Sequence, residues 1–440
     1  MDPRPASVAR EPAKAAIVGH GSILSDDEQR PVAPNLTNFP TTGLGDFAQN
    51  AAGDGKGLRR MRNYAQPLIA ALTMKPTSPT RWRPLPHVMS RQHLLTIAGL
   101  ATVHLPLQRP ALAAHDTRPR SVLAVDRWPA IPVWPTWGGG RVVPMSFDPS
   151  LTDPFLLLAH HKHSFSPGDP LRGPFKAVGG ALGLPYVGDE GFAMHPHRGI
   201  DILTYVLDGS DGFRHRDSLG GSSVYRGGAA QFMRAGRGAM HEEMWETDPH
   251  RTTRIELFQL WVNLPARQKM DPVAIRYVGD AWGAPYEEAR HVDSRGKATR
   301  VRHALDAALL ARAGEGGGGP LSRRPAVSVV HATLEPGAAW RHDVPTEHTA
   351  LLYVRSGAAL VQGGAGPPTR VPAGSSALFE RDGDAVSLRN AADAKPCDTL
   401  LLTGSPLREP VALGGPIVMN TRDELRQAYR ELQEGTFLDA

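Results

Sequence analysis

The chain carries a single cysteine, Cys397, among 440 residues. That excludes an intramolecular disulfide framework and any cysteine-built zinc knuckle. No apolar run approaches the roughly 18 residues that a membrane span needs, so no membrane partner is expected. The body of the chain also lacks a charge excess of either sign. Residues 1–120 hold 15 Lys+Arg against 8 Asp+Glu, whereas the remainder holds 34 against 36. The formal charge of +5 therefore belongs to the N-terminal stretch, and direct nucleic-acid binding does not follow from it. Cytoplasmic residence is the expectation.

What is present is ordinary in amount and particular in placement. Hydrophobic residues make up 41% and charged residues 21%, the balance of a globular protein with room for two or three domains. The 46 glycines and 40 prolines point to many turns. Residues 1–88 show no sustained period and are broken by prolines, so a disordered or weakly ordered extension is expected over 1–120. Within it, residues 89–114 run from Met89-Ser-Arg through a modest apolar stretch to Ala111-Leu-Ala113, a signal-like pattern. Export is the expectation only if the true start is Met89.

From about residue 121 the texture changes. Short β-rich pieces recur between glycine turns: Ser121–Val125, Arg141–Phe147, Ile200–Leu207 before Asp208-Gly209, Gln231–Met233 and Ile255–Leu264. Asp153-Pro-Phe-Leu-Leu-Leu reads as a buried segment. Residues 326–404 repeat the texture, so a duplicated all-β barrel is predicted. The Gly-rich stretch within 304–319 and the Pro/Gly-rich 162–187 read as loops. Thr421-x-x-Glu424 is a capping box ahead of Leu425, Ala428, Tyr429 and Leu432 at helical spacing, with Gly435 at the C-cap.

Two segments carry chemistry: His195-Pro-His197 and His241-Glu-Glu243. In a strand, residues i and i+2 share a face. If both segments are strands whose faces meet, three imidazoles and a carboxylate converge. Such a set on an apolar barrel's inner face is costly without a metal or hydrogen bonds. It suits a divalent first-row ion, with iron(II) the first choice, and leaves positions open for water, O2 or substrate. The 44-residue gap between His197 and His241 excludes a zinc-finger spacing. Asp201, four residues beyond His197, is expected as a second-layer acceptor for an imidazole N–H. His215 and His250 fall outside the paired spacing, and His160, His161 and His163 read as pocket rim or solvent-facing. His342 and His348 lack an i+2 partner, so no metal is expected in the second block.

Several stretches resemble the pirin family of the cupin superfamily. They are Asp153-Pro-Phe-Leu-Leu-Leu, His195-Pro-His-Arg-Gly-Ile-Asp, His215-Arg-Asp-Ser-Leu-Gly, Ala235-Gly-Arg-Gly-Ala-Met-His-Glu-Glu-Met, Gln259-Leu-Trp-Val-Asn-Leu-Pro, Gly404-Ser-Pro-Leu-Arg-Glu-Pro and Gly415-Pro-Ile-Val-Met-Asn-Thr. The resemblance implies a bicupin of two jelly-roll (double-stranded β-helix) barrels. It places a metal-binding cupin over 121–270, a metal-free cupin over 271–420, and a C-terminal helix and tail over 421–440. It implies one metal ion held by His195, His197, His241 and Glu243, iron(II) first, with manganese, copper, nickel or zinc also compatible. It further implies a quercetin 2,3-dioxygenase-like activity on a small aromatic substrate with O2. There Glu243 serves as ligand or as general base. The competing implication is a non-enzymatic, metal-dependent regulator that binds a protein partner. The chain departs from the family at Asp201, where glutamate is usual, and at Ala159-His160, where Asp-His is usual.

Overall fold

Strands form where the sequence alternates between glycine turns. The structure, a computed structural model, describes residues 118–132, 140–170, 174, 191–282, 284–312, 326–364, 366–391 and 394–439. The expected extension over 1–88, the signal-like segment 89–114, most of the loop expected at 162–187 and residues 313–319 lie outside these residues, whereas 304–312, also read as loop, end a strand and form a short helix.

The strands in chain order are β1 (Val122–Arg127), β2 (Ile131–Pro132), β3 (Arg141–Ser146), β4 (Phe155–Phe165), β5 (Gly191–His197), β6 (Ile200–Val206), β7 (Gly212–Asp217), β8 (Ser222–Tyr225), β9 (Ala230–Arg234), β10 (Ala239–Glu246), β11 (Thr253–Asn263) and β12 (Ala274–Val278). There follow β13 (Glu288–Val292), β14 (Ala298–Leu305), β15 (Val327–Leu334), β16 (Ala339–Asp343), β17 (Thr349–Ser356), β18 (Ala358–Gln362), β19 (Thr369–Pro372), β20 (Ser375–Phe379), β21 (Ala385–Asn390), β22 (Cys397–Gly404), β23 (Ala412–Gly414) and β24 (Ile417–Met419). Helices α1 (Pro149–Thr152), α2 (Ala307–Arg312) and α3 (Arg422–Glu434) complete the described elements used below.

Each barrel pairs a seven-stranded with a four-stranded sheet. In the first, the order β12-β9-β6-β11-β4-β3-β2 faces β5-β10-β7-β8. In the second, β1-β20-β17-β22-β15-β14-β13 faces β16-β21-β18-β19. The four-stranded sheets share one topology, with the first strand beside the last. Two tandem all-β barrels with a C-terminal helix is the expected architecture, and the structure shows it.

β4 shows how the sequence pattern meets this arrangement. Leu157, Ala159 and Phe165 point into the first barrel's core, whereas Leu158 joins a second cluster that also holds Val329, Tyr353 and Leu402 of the second barrel. A strand buried on both faces reads as an unbroken apolar run, as Phe155–Leu158 does.

The domain limits read from sequence shift at both ends. β1 adds to the edge of the second barrel's sheet beside β20, although it precedes the first barrel in the chain. Arg120 anchors it there; its buried guanidinium donates to the carbonyls of Gly383, His348, Pro345 and Thr346. Only long-range pairing reveals that placement. β12, beyond the limit drawn at 270, pairs with β9 in the first barrel.

The C-terminal helix forms as predicted. Thr421 Oγ1 accepts from the Glu424 N–H and the Glu424 carboxylate accepts from the Thr421 N–H. Gly435 closes the helix at φ 78°, the left-handed conformation that glycine tolerates. Ala428 is buried, with Leu425, Tyr429 and Leu432 packed beside it.

Candidate metal centre

β5 and β10 run antiparallel with His241 opposite His195 and Ala239 opposite His197. That register puts His195, His197 and His241 on one face. His197 and His241 are buried and His195 is partly so. Nε2 of His241 lies 3.0 Å from Nε2 of His195. One nitrogen from each of the three rings lies within 4.8 Å of the others.

Backbone carbonyls set the ring orientations. Nδ1 of His195 donates to the Ala193 carbonyl at 2.8 Å, and Nδ1 of His197 to the Pro416 carbonyl at 3.1 Å. A carbonyl only accepts, so both rings carry their proton on Nδ1 and turn an Nε2 lone pair inward. Lone pairs converging on one point in an apolar barrel are what a divalent ion requires, and a carbonyl behind an imidazole, as at His195 and His197, is the usual second layer; His241 Nδ1 is buried with no partner among the described residues. The three side chains therefore fit a first-row ion.

Burial pushes the His195 imidazole down to about 4, and pushes His197 and His241 well below the ordinary histidine value, aided by the neighbouring rings. The three imidazoles stay neutral at physiological pH, so an entering metal would displace no proton from them. The ordinary value is 6.5, so the folded metal-free protein binds fewer protons than the unfolded chain as pH falls from 6.5 toward 4. The stability from burying neutral rings is complete above 6.5 and is lost as pH drops to about 4. We expect urea midpoints of metal-free protein to fall between about pH 7.5 and pH 5. Equal midpoints would contradict neutral, buried imidazoles.

Glu243 lies two residues beyond His241 on β10, outside the close three-nitrogen set. A bulge in β5 sets it opposite Phe192, not Ala193. It is buried, and its oxygens accept from Thr204 Oγ1 at 3.0 Å and Gln259 Nε2 at 2.7 Å. Burial raises its pKa; the nearby His215 and the two hydrogen bonds oppose the rise.

Asp201 differs from expectation. β5 ends at His197 and Gly199 turns the chain at φ 77°, so strand alternation does not carry across to β6. The Asp201 carboxylate pairs with the Arg234 guanidinium at 3.0 Å, and the His195 and His197 imidazoles use backbone carbonyls.

A third i, i+2 pair, His215 and Asp217 on β7, joins the same face, opposite Glu243 and His241. Asp217 accepts from His215 Nε2 at 3.0 Å, and His215 Nδ1 is buried with no partner among the described residues. The His215 ring centroid stands 5.3 Å from that of His241. The alternation His215-Arg-Asp217 was the sequence signal for this pair. His161 and His163 are not at a solvent rim: β4 continues to Phe165, both rings are buried, and they share a hydrogen bond at 3.1 Å beside Trp245.

In the second barrel β16 and β21 occupy the places of β5 and β10. Their inward positions hold Trp340, Val386 and Leu388, which belong to its apolar core. Among the described residues the close histidine set is confined to the first barrel.

Two barrels of this topology, one with a histidine set on its four-stranded sheet, define a two-domain cupin. A family model described as Pirin matches residues 146–262, and one described as Pirin C-terminal cupin domain matches residues 329–438. A pirin-like protein of Caulobacter vibrioides is 37% identical over 254 residues, covering 56% of this chain and 80% of that protein. Pirin-like protein 2 of Arabidopsis thaliana is 30% identical over 306 residues, covering 68% of this chain and 80% of that protein. The crystal structure of a quercetin 2,3-dioxygenase from Acinetobacter baumannii is similar with a TM-score of 0.56 at 27% identity, covering 72% of this chain and 98% of that one. The chain belongs to the pirin family of the cupin superfamily. Among the described residues, no helix is long and apolar enough to cross a membrane.

Proposed function

We propose that the first barrel is a metal-dependent dioxygenase site for quercetin-like flavonols or related aromatic diols and ketols, with O2 as co-substrate. The observation that carries it is the convergence of three neutral imidazole nitrogens within 4.8 Å. The resemblance to a quercetin 2,3-dioxygenase supports the substrate class. A divalent ion held by His195, His197 and His241, iron(II) first among those compatible, would supply Lewis acidity and open coordination positions.

The chain's own residues do the rest. Glu243, its pKa raised by burial, accepts the proton of a substrate hydroxyl on a carboxylate oxygen, or completes the ligand set. Thr204 and Gln259 fix its orientation. His215 Nδ1, held by Asp217 through the opposite ring nitrogen, offers an acceptor to a second hydroxyl. Trp261 stands edge-on to His197 at 5.2 Å and Phe192 lies 6.5 Å from His195, which limits water around the ligands.

The test is oxygen uptake with quercetin on protein loaded in turn with iron, manganese, copper, nickel and zinc. Uptake is expected with at least one metal, and Glu243→Gln should lower kcat by about 100-fold or more. Stoichiometric metal with no uptake in any form removes the dioxygenase reading. The aromatic rings crowding His195 and His197 would then favour a regulator whose metal shapes a protein-binding surface.

A further inference from the structure

The end of the chain returns past the second barrel to the first. The Pro416 carbonyl accepts from His197 Nδ1, and among the described residues no other group holds that nitrogen. Two residues on, the Val418 N–H donates to the Arg198 carbonyl at 3.0 Å, and Ile417 forms a parallel bridge with Arg198. The tail's backbone thus lies directly against the residue that follows a ligand. A Cβ added to Gly199 would meet the Val418 carbonyl oxygen at 1.9 Å, so nothing larger than glycine fits between them.

Two buried cations fasten the tail. Arg198 is 2% exposed. It donates from Nη1 to the Glu431 carboxylate at 2.5 Å and from Nη2 to the Phe437 carbonyl at 2.8 Å, with its guanidinium carbon 4.2 Å over the Phe437 ring. Lys269 Nζ donates to the Gly199 carbonyl, Asn263 Oδ1 and the Val418 carbonyl, three acceptors for the three N–H of an ammonium. The tail also packs against Met240, the neighbour of His241. The tail is therefore bonded to one of the three metal-facing histidines and packs on the residue beside a second.

We propose that residues 416–437 are a positioning element of the metal centre. They orient His197, and Arg198, Lys269, Glu431 and Phe437 set metal affinity by keeping that element docked. The proposal rests on the three-histidine set as the metal's seat. Linkage is reciprocal: whatever docking contributes to metal binding, metal binding returns to docking.

The experiment uses the full-length chain and cobalt(II), read by visible absorption, with hydrogen exchange over α3. Glu431→Ala and Phe437→Ala should each weaken cobalt binding about 10- to 100-fold, the range for groups that orient a metal ligand. Both should alter the ligand-field bands, and cobalt should slow exchange in α3 of the wild type. Val361→Ala, buried in the second barrel's core, is the control for general destabilisation. Wild-type affinity and spectrum in both tail variants, or equal weakening in the control, overturns the proposal. So does exchange in α3 that cobalt leaves unchanged. His197→Ala separates the two readings: if that variant binds cobalt like the wild type, the seat itself is wrong and both fall.

Discussion

His197→Ala should carry no stoichiometric metal. His197 is the member of the three-histidine set that the fold fixes by a backbone bond from another segment: it is 1% exposed, Trp261 stands against it, and its Nδ1 is committed to the Pro416 carbonyl. Removing it breaks the close set and leaves His195 and His241 facing each other at 3.0 Å, with Glu243 outside that set. Elemental analysis of the purified variant should drop from about one ion per chain to background. A second readout follows from mass action. An ion at 100 times its Kd stabilises the folded wild type by about 2.7 kcal/mol, so added metal should raise the wild-type Tm and leave that of the variant unmoved. His342→Ala, in the second barrel, should retain full metal content. Unchanged metal in His197→Ala would remove the three-histidine assignment.

The site was legible where strand alternation alone decides which side chains share a face. His195 with His197, and His241 with Glu243, lie on regular stretches of β5 and β10, so spacing sufficed. Register was not legible. That His241 meets His195 across 46 residues, and that a bulge then offsets Glu243, follows from how whole strands stack. Alternation misled where a turn interrupted it, as at Gly199 before Asp201, and was obscured at His161 and His163 by the exposed Lys162 between them. The duplicated barrel was visible because each copy repeats the strand-and-turn texture. The exchange of β1 into the second barrel was not, since it rests on the anchoring of Arg120 by carbonyls more than 220 residues away. The tail's contact with His197 was hidden for the same reason.

Arg234→Ala should cost stability by about 3–5 kcal/mol while leaving the metal in place. Arg234 is fully buried, and its guanidinium reaches Asp201 through Nε at 3.0 Å and Nη2 at 3.3 Å, with Asp271 at 3.4 Å from Nη1. Alanine strands the Asp201 charge inside the protein without its guanidinium, which is the expensive way to break a buried pair. Replacing both partners, Asp201→Leu with Arg234→Met, should cost less than Arg234→Ala alone, because the buried carboxylate is gone and Asp271, also released, is partly exposed to water. The comparison also decides what Asp201 does. As the partner of Arg234 it affects folding and only weakly the metal, so Asp201→Asn should lower the urea midpoint and keep cobalt affinity within about threefold of wild type. A carboxylate acting on a ligand imidazole would give the reverse: a loss of affinity of about 10- to 100-fold with stability nearly unchanged. That result would restore Asp201 to the metal centre and count against the ion-pair assignment drawn from its bonds to Arg234.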